Sequence, residues 1–283
     1  MEPLSKGWVD THVHWDASEF DLDREQALIR AKQAGVDCCF NPSVAVLGFH
    51  AVEALSAASQ TRQDWPMILP AYGIHPLYIE NAVDTDLQVL DQQLEAHRPI
   101  AVGEIGLDGY TGVPDMAQQR LWFEAQLDLA IKHSLPVLLH VRHAVEEVIQ
   151  SLKRVQGKYS KIPGGIAHAF NGSESQAEQL IRMGFLLGFG GSMTYEGSTR
   201  IRRLAAQLPL GHIVLETDAP DMAPAWLRNR RNEPSELPRI AQTLADLRGI
   251  SIQVVAEQTS TNARKVIACN GFSATNGACA HSS

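Results

Sequence analysis

Apolar residues in this chain fall into short β-branched or apolar runs that alternate with longer stretches in which apolar positions recur every three or four residues. The short runs predict strands at Trp8–Val13, Val36–Asn41, Met67–Gly73, Ile100–Ile105, Val137–Val141, Gly165–Ala169, Phe185–Gly190 and Ile213–Glu216. The amphipathic stretches predict helices at Asp23–Ala34, Phe49–Gln60, Thr85–Ala96, Gln118–His133, Ala144–Val155, Ser175–Met183, Thr199–Gln207 and Ser235–Leu247, with one more over Ile252–Ile267. A strand that gives way to a helix eight times, without long hairpins, predicts a parallel sheet. Eight such units are the number that closes a barrel, so the expected fold class is α/β, a single (β/α)8 TIM barrel. An open doubly wound sheet is the alternative, but no glycine-rich dinucleotide fingerprint follows the first strand.

No linker rich in Pro, Gly or Ser divides the chain. One domain is expected over residues 1–268, followed by a small polar tail, 269–283, expected to be disordered. A chain of 283 residues can bury a large core without a disulfide or metal staple. The net charge of −8 argues against a broad basic face for nucleic acid, yet leaves room for one or two phosphates held beside metal ions. Cys38, Cys39, Cys269 and Cys279 show neither zinc spacing nor a disulfide framework, so reduced thiols are expected. The N-terminus lacks the apolar region of a signal peptide, and no run is long enough to span a membrane. A cytoplasmic protein with no obligate protein partner is the expectation.

The candidate chemistry begins with His12 and His14 in Asp10-Thr11-His12-Val13-His14. Residues two apart on an extended strand share a face, so both imidazoles can reach one cation. Alone the pair carries little, since eleven His yield about 0.4 such pairs by chance. The weight comes from four more ionisable residues, each ending an apolar strand: Glu104, His140, His168 and Asp218. Groups buried there are costly unless paired or metal-bound, and barrel active sites are assembled at the carboxyl ends of the strands. One such residue is ordinarily a satisfied core group or a helix cap. Six on one rim predict a metal site.

The motifs THVHWD, GIHP, VGEIGLD, LPVLLHVRHA, IAHAFNGS and LETDAPD, in that order and with RNEP after them, resemble the successive motifs of the TatD family. The resemblance runs from about Trp8 to Ile267. It implies a TIM barrel of the amidohydrolase superfamily that hydrolyses DNA phosphodiesters with divalent metal. Carried over position by position, it implies that His12, His14 and Asp218 bind a first metal. Glu104 would then bridge two metals, and His140 and His168 would complete the second site. By the same resemblance His75 lies near the substrate phosphate, with Arg142, Asn171 and Arg231 as further substrate contacts. Two positions depart from the family pattern: His143 replaces an acidic residue, and Ala169 replaces a frequent Cys. Neither is among the six ligands.

Two divalent ions are therefore expected. The imidazole-rich set suits Zn2+, Mn2+ or Ni2+ better than an all-oxygen Mg2+ shell, although the family is described as Mg2+-supported. Glu104 and Asp218 are the catalytic candidates, Asp218 as acceptor of the proton from the attacking water. The expected function is a deoxyribonuclease, with 3′-5′ exonucleolytic cleavage as one form and DNA or another phosphodiester as transient partner. The alternatives are an amidohydrolase-like enzyme cleaving a small amide, lactone or ester, a deacylase of mischarged tRNA, and a retired barrel that only binds metal. The fold hosts all of these, so fold alone does not choose.

Overall fold

A computed structural model describes residues 7–110, 115–228 and 230–268; the tail expected over 269–283 lies outside the described residues. All eight predicted strands form, in parallel and in sequence order: β1 (Trp8–Asp10), β2 (Val36–Pro42), β3 (Met67–Tyr72), β4 (Ala101–Gly106), β5 (Val137–His140), β6 (Gly165–Ala167), β7 (Phe185–Phe189) and β8 (Ile213–Leu215). The helices that separate and cover them are α1 (Arg24–Gln33), α2 (Phe49–Ser59), α3 (Asp84–His97), α4 (Met116–His133), α5 (Val145–Tyr159), α6 (Glu174–Arg182), α7 (Thr199–Gln207), α8 (Leu237–Arg248) and α9 (Ile252–Ala268). This is the (β/α)8 barrel the pattern predicts.

Strand alternation divides the core in two. Val9, Cys38, Phe40, Leu69, Ala71, Ala101, Leu138, Ile166, Leu186 and Val214 form one apolar cluster to which every strand contributes. Their neighbours Cys39, Val102, Leu139, Ala167, Leu187 and Leu215 belong to the larger cluster shared with the helices. Ala263, Val266 and Ile267 of α9 join the inner cluster, so the last helix packs against the barrel interior itself. Period-two geometry then carries the inner rows onward: 138 leads to His140, 166 to His168, and 214 to Glu216. Polar side chains thus crown an apolar plug.

β1 and β8 are shorter than the pattern predicts, and the reason lies where the barrel closes. Thr11 N–H donates to Leu215 O (3.1 Å), Asp218 N–H to His12 O (2.8 Å) and His14 N–H to Ala219 O (2.8 Å). The buried Asp10 carboxylate competes for the remaining donors, accepting Thr217 N–H (3.0 Å) and Thr217 Oγ1–H (2.6 Å). A side chain thereby replaces a rung of the ladder, and the seam is fastened at the mouth. Burial pushes the Asp10 carboxyl up to about 7 despite these bonds. Val13 still bridges Ala219 in parallel, so His12 and His14 flank one extended residue, although both lie beyond β1.

Candidate metal centre

The six residues singled out at the strand ends converge at the mouth. Glu104, buried in β4, holds one oxygen toward each half of the site. Its Oε2 lies 3.1 Å from His12 Nε2 and 3.6 Å from His14 Nε2; its Oε1 lies 2.8 Å from His140 Nδ1 and 3.7 Å from His75 Nε2. Asp218 Oδ1 is 3.8 Å from His12 Nε2 and 3.7 Å from His14 Nε2, while its Oδ2 is 3.4 Å from His168 Nε2. Three overlapping triads each bring their ligand atoms within 4.8 Å of one another: His12, His14 and Asp218; His12, Glu104 and His168; and His75, Glu104 and His140.

Charge in the cluster is arranged for cations. Burial opposes ionisation of Glu104, but the His12 and His75 imidazoles outweigh it and hold the carboxyl well below its usual range. Asp218 is likewise held down, chiefly by His168 against the cost of burial. Burial and the neighbouring His168 keep His12 neutral, as a ligand must be. The His12 ring stacks on His168 with centroids 3.7 Å apart, and its Nδ1 has no hydrogen-bond partner although buried. Nitrogen and carboxylate donors packed this closely repel or waste one another unless a cation sits among them. The donor set fits divalent metal.

Comparison with known proteins agrees with that chemistry. A family model described as TatD related DNase matches residues 9–268. The chain belongs to the TatD family. It is 35% identical to the uncharacterized metal-dependent hydrolase YjjV of Escherichia coli, over 90% of this chain and 95% of that protein. The crystal structure of that TatD homolog superposes with a TM-score of 0.84, covering 92% of this chain and 97% of the other. A 3′-5′ ssDNA/RNA exonuclease TatD of Erwinia tasmaniensis is 34% identical, over 91% of this chain and 98% of its own length. The protein is a metal-dependent hydrolase of this family.

In this TatD-family hydrolase the groups behind His14 and His140 set the tautomers of those two rings. His14 Nδ1 faces the Pro42 carbonyl at 3.2 Å and must donate to it, which leaves the Nε2 lone pair for a metal. His140 Nε2 faces Asp108 Oδ2 at 2.9 Å, so its Nδ1 lone pair is the one turned toward Glu104 and the site. His168 Nδ1 lies 3.1 Å from Glu216 Oε1 without a hydrogen bond between them, and its Nε2 lies 3.4 Å from Asp218 Oδ2. His75 is the exception. Its Nδ1 accepts from Leu77 N–H (3.1 Å), so the neutral ring carries its proton on Nε2, aimed at His140 Nδ1 (3.0 Å). Burial lowers its pKa to about 3, so the ring stays neutral. A neutral imidazole that presents N–H is a hydrogen-bond donor to an oxygen, not a ligand.

Several functional residues escape a reading of the sequence. Glu216 is buried, accepts Ala169 N–H at 2.6 Å, and leaves Oε2 unpartnered. Gly188 and Gly190 give it room, since a Cβ at Gly188 would collide with its carboxylate. The signal was present, because Glu216 shares the 214–216–218 row with Asp218. Ala169 (φ +46°) and Asp218 (φ +58°) both sit in the left-handed region that non-glycine residues seldom occupy, a cost met here at the site.

Two buried glutamines of α4, seven residues apart and hence on one face, brace the mouth from outside. Gln126 accepts Ile74 N–H (2.7 Å) and donates to Ile74 O (3.0 Å); Gln119 accepts Asp108 N–H (2.7 Å) and donates to Asp108 O (2.9 Å). One helix thus braces the loop of His75 and the loop of Asp108. Two glutamines on the helical face shared with Phe123, Leu127 and Ala130 were the sequence sign.

The remaining substrate candidates disperse. Arg142 stacks over Tyr110, its Cζ 4.0 Å from the ring centroid, near Asp108. Asn171 is exposed and accepts from Arg200 Nε at 3.0 Å, which brings an arginine the motifs did not suggest to the rim. Arg231 is otherwise engaged. Its guanidinium donates to Asp23 Oδ1 (2.5 Å) and Oδ2 (2.9 Å), reaches Glu233 at 3.4 Å, and packs over Phe20. A phosphate contact by Arg231 was expected; with its donors committed to carboxylates, that role is withdrawn.

Proposed function

We propose that this chain is a nuclease that cleaves phosphodiester bonds with water, using two divalent ions. The observation that carries the reading is the division of Glu104, with one oxygen toward His12 and His14 and the other toward His140 and His75. That is the disposition of a carboxylate shared by two cations. His12, His14 and Asp218 would hold one ion; Glu104, His140 and His168 would serve the other. Ions so held supply Lewis-acid activation of water and neutralise charge at a phosphodiester.

The side chains supply the rest. Asp218, whose side chain is 16% exposed against 3% for Glu104, opens toward the mouth and is kept ionised. It is the group placed to take the proton from the attacking water. His75 presents a neutral N–H, suited to a non-bridging phosphate oxygen and held there by Leu77 and Gln126. The similarity to a relative named a 3′-5′ ssDNA/RNA exonuclease supports a single-stranded nucleic acid as substrate.

The test is an assay of the purified protein with Mg2+, Mn2+, Zn2+ and Ni2+ in turn. Substrates are single-stranded DNA, duplex DNA, RNA, a simple phosphodiester, and small amides and lactones. Metal-dependent shortening of single strands, abolished by chelation, is expected. Turnover of amides or lactones with no phosphodiester cleavage by any metal would overturn the reading.

A further inference from the structure

We propose that Tyr110 and Arg142 form a stacking platform for a nucleobase next to the scissile phosphate, a subsite that rests on the nuclease reading above. The pairing of β4 with β5 runs on past both strands: Leu107 N–H donates to His140 O (3.1 Å) and Gly109 N–H to Arg142 O (2.8 Å). The loops stay in register as a result, and Tyr110 is delivered beside Arg142. Only glycine permits this approach at 109, where a Cβ would lie 2.5 Å from the His143 carbonyl oxygen. The Arg142 Cζ then lies over the ring, 4.0 Å from its centroid, with the His143 ring centroid 5.9 Å away at 38°.

The pair is presented outward and preassembled. Tyr110 is 50% exposed, and the Arg142 side chain 49%. An aromatic ring and a guanidinium plane are the two protein surfaces on which unstacked bases rest. Of the other exposed tyrosines, Tyr195 is tied through its hydroxyl to Ala223 O. Tyr159 ends α5, on the barrel face away from the mouth. Tyr78 lies edge-on to His75.

What links the platform to the chemistry is Asp108. This fully buried carboxylate accepts Tyr110 N–H on Oδ1 (2.7 Å) and His140 Nε2–H on Oδ2 (2.9 Å), with Arg142 Nη1 4.0 Å from Oδ2. The same side chain therefore fixes a metal-ligating imidazole and the backbone of the platform. A base stacked on Tyr110 is held in register with the phosphate at Glu104. The His143 ring beside the platform carries no negative charge that would repel a polyanion. Because Tyr110 meets Asp108 through its backbone N–H, removing the ring leaves that bond in place.

The experiment uses the metal-loaded full chain and a set of single-stranded hexanucleotides with one abasic residue moved through each position. KM is measured for the wild type, Tyr110→Ala, Tyr110→Phe and Arg142→Ala. In the wild type one position is expected to be sensitive, its abasic form raising KM about tenfold. In Tyr110→Ala that penalty should fall below about twofold, as a coupled pair requires, while Tyr110→Phe retains it. Equal abasic penalties in wild type and Tyr110→Ala at every position would overturn the platform, as would a loss confined to Arg142→Ala and independent of the base, which would make Arg142 a phosphate clamp. No hydrolysis of any hexanucleotide with any metal would defeat the nuclease reading, and the subsite with it.

Discussion

The two halves of the candidate centre are built differently. His12, His14 and Asp218 belong to the seam between the first and last strands, where three-residue strands end early and backbone bonds among residues 11–14 and 215–219 take over. The polar group behind His14 is a neutral carbonyl, and Asp218 sits on left-handed backbone. His75, Glu104 and His140 belong to the middle of the sheet, in the loop after the longer β3, on β4, and at the fourth residue of β5. Their loops are braced by α4 through Gln119 and Gln126. Behind His140 stands a buried carboxylate, Asp108, which raises its basicity together with Glu104 against the opposing cost of burial. The contrast teaches a division of labour. The seam joins its two imidazoles to the ionised, partly exposed Asp218, whereas the middle of the sheet combines an imidazole of raised basicity with the neutral donor of His75.

The sharpest way to break the comparison is to remove what the halves share. Glu104→Ala should lower turnover on the order of 10³-fold, as when a group acting on transition-state charge is lost, and should lower the metal content found by elemental analysis. Near-normal turnover with full metal content would show that the halves work independently. Asp108→Asn touches only the half in the middle of the sheet. One of two calorimetrically resolved metal affinities should weaken about 10–100-fold while the other holds. Equal weakening of both would erase the distinction drawn here.

Gln126→Ala leaves Ile74 N–H and C=O buried without partners. A stability loss of about 2–6 kcal/mol follows, at ~1–3 kcal/mol for each such group, read from urea unfolding. An unchanged midpoint would mean that water or backbone shifts replace the brace.

The smallest effect lies outside both halves. Arg231→Ala should cost about 1 kcal/mol, because its partners Asp23 and Glu233 are partly solvated, and should leave KM for oligonucleotides unchanged. Arg231 and Arg30 hold Asp23 below its ordinary 3.8; Arg30 and Ser235, against the cost of burial, hold Glu233 below 4.5. Carboxylates depressed by folding stabilise the protein above their unfolded values and lose that contribution as pH falls through 4.5 and below 3.8. The difference in melting temperature between wild type and variant should therefore shrink on acidification. A rise in KM instead would restore Arg231 as a substrate contact.

Most of the architecture was legible because it depends on local periodicity. The eight strands and nine helices appear within a few residues of where the apolar pattern places them. Four of the six candidate ligands stood out because each breaks an apolar run at its end, and His12 and His14 because they lie two apart on an extended segment. What stayed hidden depends on partners far along the chain. Gln126 is meaningful only through the backbone of Ile74, 52 residues away, and a backbone partner leaves no trace in side-chain identity. Arg231 looked free until α1 brought Asp23, 208 positions earlier, against it. The early end of β1 and β8 was hidden for the same reason, since the Asp10 carboxylate displaces a rung only once Thr217 has arrived.

The seam fastened at the mouth has one more consequence. Its bonds join the segment around His12 to the segment around Asp218, which a ribosome delivers about 200 residues later. A nascent or truncated chain that lacks β8 can neither close the barrel nor offer the His12, His14 and Asp218 triad, so metal can reward only the finished fold. At free metal one hundred times its dissociation constant, that reward is about 2.7 kcal/mol per ion. An ion held by that triad would favour the closed barrel over any chain that has not yet formed the seam.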